Sequence, residues 1–86
     1  MTTWRKLISE AFDNNKESWG DVVSICPEKT NWLDYWFDDD YGSIEGESFT
    51  IWTKNNVYFP VSYDGSEWVG SVSRNPNGKA TVHIGG

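Results

Sequence analysis

The chain has 86 residues, among them six Trp, four Tyr, four Phe, one Cys and one His, and a net charge of -6. That length allows one domain, 1–86, with a modest core, and a lone cysteine excludes an internal disulfide and fits a reducing cytoplasm. The sign of the charge opposes nucleic acid and anionic membrane as direct partners.

The acid is unevenly placed. Residues 1–53 carry eleven Asp and Glu against four Lys and Arg, whereas 54–86 carry two against three. Each buried aromatic ring removes roughly 150–250 Å² from water, so a few of them can build a core without metal or disulfides. Six Trp exceed what so small a core hides, and one or two are expected to stay partly exposed, where Trp favours binding. No apolar run approaches the roughly 18–20 residues of a membrane span, and the N-terminus lacks the apolar stretch of a signal peptide. The expectation is a soluble cytoplasmic protein.

In chain order, Trp4, Leu7, Ile8, Ala11 and Phe12 recur at helical spacing, which predicts an amphipathic helix from Thr3 to about Asn14. Thr3 serves as its N-cap, and Asn14-Asn15 as a stop through the left-handed conformation that Asn tolerates. Val22, Val23 and Ile25 favour a strand by β-branching, with a short helix from Trp19 to Ile25 as the competing reading; Pro27 ends either. Cys26, after these apolar residues, reads as a buried, inert thiol. Thr30 or Asn31 can cap a second short helix through Trp32, Leu33, Tyr35, Trp36 and Phe37. The run Asp38-Asp39-Asp40-Tyr41-Gly42 then leaves regular structure, because adjacent carboxylates repel and oppose a helix C-terminus.

From Phe49 the pattern alternates. Phe49, Ile51 and Thr53 form one run, Asn55-Asn56 a turn, and Val57, Phe59, Val61 and Tyr63 a second run, with Pro60 marking an edge or a bulge. Asp64-Gly65-Ser66 is the next turn, followed by Trp68, Gly70 and Val72. Arg74 to Gly78 forms a longer turn before a last alternating run, Ala80, Val82 and Ile84. The fold class is therefore α+β: an N-terminal amphipathic helix, a second short helix and an antiparallel β-meander of three or four strands.

Catalysis finds little support in these residues. The lone His83 is distant in sequence from Cys26, and paired carboxylates need a cleft that a chain of this size has little room for. The acidic run offers the first positions of a calcium loop but lacks the third acidic ligand, the correctly placed Gly and the closing Glu. One Cys and one His are too few for structural zinc, and no glycine lies in a phosphate-cradling loop. No enzyme, metal or cofactor is expected.

Glu45-Gly46, Phe49-Thr50, Trp52-Thr53, Val57-Tyr58-Phe59-Pro60-Val61, Tyr63-Asp64-Gly65, Glu67-Trp68-Val69, Ser71-Val72, Arg74-Asn75-Pro76 and the ending His83-Ile84-Gly85-Gly86 resemble a family of short bacteriophage and prophage proteins. The likeness covers the C-terminal half well and the N-terminal helix loosely. It departs at Ser73, where the family pattern has Pro, and at Asp40, where it has Gly, which makes this chain more acidic at one loop. The resemblance implies a phage setting, in the host bacterial cytoplasm, and brings no catalytic residue and no substrate.

What remains is recognition of a macromolecule. Carboxylates around aromatic rings suit a basic groove, with the carboxylates in the place of phosphates and the rings as anchors. The expected face is Asp34, Asp38, Asp39, Asp40, Glu45 and Glu47, with Trp32, Trp36 and Tyr41 nearby. The expected function is non-enzymatic: a phage protein that binds and inhibits a host nucleic-acid-handling or defence protein, as an anti-CRISPR does. The alternative is a small phage accessory or structural module, self-associating through strand edges and exposed Trp, whose acidity serves solubility.

Overall fold

The computed structural model of the protein describes residues 1–39 and 44–84. Helix α1 spans Trp4–Asn14 and strands β1 to β4 span Val22–Cys26, Thr50–Thr53, Asn56–Tyr63 and Ser66–Ser73. The strands form one antiparallel sheet in the order β1-β2-β3-β4. The architecture is α+β, as the chain order of its patterns implies.

Helix α1 begins as its sequence dictates. Thr3 is extended, and its hydroxyl accepts the Lys6 N–H at 3.3 Å. The other end differs from expectation. Asn15 has φ -99°, and Lys16 takes the left-handed position with φ 57°. The Glu17 N–H reaches the Phe12 carbonyl at 2.8 Å and the Lys16 N–H the Asp13 carbonyl at 3.1 Å, which is a Schellman closure. Asn15 is thereby free to use its side chain, and Nδ2 donates to Tyr58 Oη and Ser71 Oγ, each at 3.1 Å.

A 3₁₀ turn, Trp19–Asp21, leads into β1, so the strand reading of Val22 to Ile25 holds. Cys26, expected to be buried, is exposed at the end of β1. It pairs with Thr50 on the sheet face turned away from the helix, where no core residue lies over it. The second short helix is a single 3₁₀ turn, Asn31–Asp34, and it buries Trp32 and Leu33. Its short length follows from a mixed apolar and polar run without room for a second turn before Phe37 pairs with Thr2.

Asp64 and Gly65 close the β3-β4 hairpin with φ values of 51° and 86°, the geometry of a type I′ turn and the reason for Gly65. The β2-β3 turn sits one residue earlier than expected, at Lys54-Asn55, and uses no positive φ. Pro60 lies in β3 where that strand pairs with β4 but has passed its paired positions on β2, so its missing N–H leaves no ladder bond unmade. The run Ala80 to Ile84 forms no strand. Those residues are exposed, and without a paired neighbour alternation alone supplies no ladder.

The core joins one face of the sheet to α1 and to the turn at Trp32. Trp4, Ile8 and Phe12 come from the helix, Phe37 and Phe49 from the connection, and Ile51 and Tyr58 from the sheet. Rings meet edge-on or tilted: Trp4 with Phe37 and Phe49 at 4.9 Å, Phe12 with Tyr58 at 4.8 Å. Each such pair is worth about 0.5–1.5 kcal/mol beyond the area it buries.

The Glu17 carboxylate is buried against this assembly. Glu17 accepts from the hydroxyls of Tyr58 at 2.6 Å and Thr53 at 2.7 Å, from Asn56 Nδ2 at 3.0 Å and from the Asn55 N–H at 3.3 Å. Burial pushes its pKa up, but these four donors together outweigh burial and hold it below the ordinary carboxylate value. Tyr58 is pushed the other way, by burial first and then by the adjacent carboxylate, so its hydroxyl remains a donor. The end of α1 is thus fastened to the β2-β3 turn.

Candidate partner-binding site

The acidic segment occupies the connection between the turn at Asn31–Asp34 and β2. Its described parts are tied down along the backbone. The Glu67 N–H donates to the Asp39 carbonyl at 2.7 Å. The Glu67 carboxylate then accepts the Glu45 N–H at 2.9 Å and the Gly46 N–H at 3.0 Å. Trp4 Nε1 donates to the Glu47 carbonyl at 3.0 Å. Glu67 is 4% exposed, so these bonds form out of water, where an unpaired carboxylate would be costly.

Gly46 explains the Glu45-Gly46 pair. A Cβ there would lie 2.7 Å from the Trp4 ring and 2.8 Å from Glu67 Oε1. No side chain fits between the segment and its two anchors. The segment also braces itself, since the Asp38 N–H donates to Glu45 Oε1 at 3.3 Å.

The expected residues divide into groups. Asp38 and Asp39 are partly buried, and Glu45 and Glu47 are exposed, all on the tied segment. Trp36, two residues before Asp38, is 70% exposed. Asp40 and Tyr41 lie outside the described residues. Asp34 is turned to α1 instead: its two oxygens take Arg5 Nε at 2.7 Å and Nη2 at 3.0 Å. The Arg5 hydrogen bond holds its pKa low, and its charge is largely answered within the chain.

Trp32 needs correction as a surface anchor. It is 5% exposed and stacks on Phe49 at 5.3 Å, with Nε1 donating to the Pro27 carbonyl. Its ring cannot meet a partner without opening the core. Of the six Trp, Trp4 and Trp32 are buried, and the other four keep some exposure.

Glu67 is the residue that sequence reasoning missed. In the chain it looks like one polar position in an alternating strand. Alternation puts Glu67 on one strand face with Val69 and Ser71, but only the structure shows that α1 covers that face.

A cleft of about 160 Å³ opens beside the segment, between Ile44, Gly46 and Ser48 on one side and Pro60 to Ser62 on the other. It is smaller than the roughly 300–1,000 Å³ of small-molecule sites. Among the described residues no three His, Cys, Asp or Glu side chains are grouped to hold a metal ion, and no helix is long and apolar enough to cross a membrane.

No protein-family model matches the chain, and no match to a curated protein or to a solved structure emerges.

Proposed function

We propose that this is a non-enzymatic binding protein whose acidic segment engages a basic surface on another protein. The observation that carries this reading is the clamp made by Glu67 and Trp4. Four backbone groups between Asp39 and Glu47 are fixed, so the backbone that carries Asp39, Glu45 and Glu47 is ordered before a partner arrives and binding costs little further entropy. A tail kept acidic only for solubility needs no such fastening. Trp36 supplies an apolar anchor next to the charge, in the manner of interface hot spots.

The biological setting rests on the resemblance of the C-terminal half to phage proteins. On that footing the partner is a host nucleic-acid-handling or defence protein, such as a CRISPR effector, met in the bacterial cytoplasm. The carboxylates occupy its phosphate-binding groove and block it. No direct contact with nucleic acid or membrane is part of this role.

The test is capture from bacterial lysate at low and moderate salt, followed by titration of the captured protein. Binding is expected to fall as salt rises, and the double variant Asp38→Lys, Asp39→Lys to weaken it at least about tenfold. Trp36→Ala is expected to speed dissociation. Unchanged affinity in the charge-reversed variant would remove the acidic segment from the site.

A further inference from the structure

Among the described residues no helix covers the second face of the sheet. Cross-strand partners share a face, so the register assigns it. Ile51 and Tyr58 lie in the core with Ile25 and Val69 packed against it, all on the helix side. The opposite side carries Ser24 and Cys26 of β1, Thr50 and Trp52 of β2, Val57, Phe59, Val61 and Tyr63 of β3, and Ser66, Trp68, Gly70 and Val72 of β4, with Val61 and Gly70 already buried within it. Not one of these is Asp, Glu, Lys, Arg or His, in a chain of net charge -6.

This face is also even. A Cβ on Gly70 would lie 2.6 Å from Val61 Cγ2 and 2.8 Å from Phe59 Cε2, so both neighbours lean across the glycine and fill its notch. Tyr63, 58% exposed, and Trp68, 36% exposed, stand at the hairpin end of the same surface.

We infer that a second copy of this chain stacks on this face, forming a two-sheet sandwich about a twofold axis. A partner chosen by charge has nothing to read here. Two copies repel one another through their acidic segments, and this surface adds no like charges of its own to that repulsion. An antiparallel sheet with one uncharged, largely apolar face not covered by a helix is half of the usual sandwich, and a twofold stack meets it with its own complement. With strands about 4.8 Å apart and about 3.3 Å per residue, the face measures roughly 400 Å² in projection. Side-chain relief raises its accessible area, and two copies together bury on the order of 1,000 Å², the lower end of specific interfaces. The dimer therefore dissociates on dilution.

Sedimentation equilibrium of the whole chain from about 1 to about 500 µM tests this. The mass is expected to rise from one chain to two, without weakening in high salt. Tyr63→Glu and Trp68→Glu are each expected to return it to one chain across the range, with the circular dichroism and thermal midpoint of Tyr63→Glu close to the parent. Trp36→Glu, which changes an exposed Trp away from this face, should dimerise as the parent does. A single-chain mass at every concentration would overturn the inference. So would a dimer that survives both Glu variants, which would place the contact on a strand edge.

Discussion

Glu17 and Glu67 are both buried carboxylates, and each gathers several hydrogen bonds, yet they do different work. Glu17 collects side-chain hydroxyls and an amide from β2 and β3 and fastens them to the end of α1. Everything it holds belongs to the scaffold. Glu67 instead holds backbone N–H groups of an irregular segment, and what it fixes is the backbone beneath the exposed Glu45 side chain. The difference teaches that the same chemistry, a charge satisfied out of water, can stabilise a fold in one place and shape a surface in another. Damage to Glu17 should therefore be global, and damage to Glu67 local.

The strongest way to test that contrast is Glu17→Ala. It leaves two hydroxyls, the Asn56 side-chain amide and the Asn55 N–H without this acceptor and is expected to cost about 3 kcal/mol, read as a lower urea midpoint. Acid should act through the same group. The folded pKa of Glu17 is depressed, so its contribution is complete above the unfolded value near 4.5 and is lost as pH falls through the folded one. Stability measured down from pH 5 should drop less steeply in Glu17→Ala than in the parent. Asp34 titrates in the same direction, but its ion pair stands in solvent and screening keeps its part small.

Gly46→Ala presses a methyl against the Trp4 ring and is expected to cost about 2 kcal/mol in thermal unfolding, while also displacing the acidic segment. The smallest effect has the opposite sign. Lys16 sits at the left-handed helix cap, where a side chain is disfavoured, so Lys16→Gly is expected to stabilise the protein by about 1 kcal/mol without changing partner binding.

Local signals were legible in the sequence. The spacing of Trp4, Ile8 and Phe12 specifies α1, Thr3 caps it, and Asp64-Gly65 sets a hairpin. Alternation located β2, β3 and β4 but not which face the helix takes. Val57, Phe59, Val61 and Tyr63 are the more apolar set of β3, yet the core receives Tyr58 of the other set. That face is polar in sequence because its polar atoms are paired inside: Tyr58 and Thr53 with Glu17, and Ser71 with Asn15. Such pairs join residues far apart in the chain, and neither period nor propensity carries them. Glu67 and Gly46 escape for the same reason, being 21 positions apart. The run at Ala80 to Ile84 had the pattern of a strand and no neighbour to complete it. The acidic run was legible as a loop, while the withdrawal of Asp34 into an ion pair with Arg5 was not.

Amide hydrogen exchange in Glu67→Gln tests the central claim, that one buried carboxylate orders the acidic segment. The substitution keeps the shape and replaces one acceptor oxygen with a donor facing the Glu45 and Gly46 N–H groups. In the parent both amides should be protected. In the variant they should exchange at least about tenfold faster, while the amides of Ile51 and Tyr58 keep their protection. Equal protection of Glu45 and Gly46 in the two proteins would contradict the account.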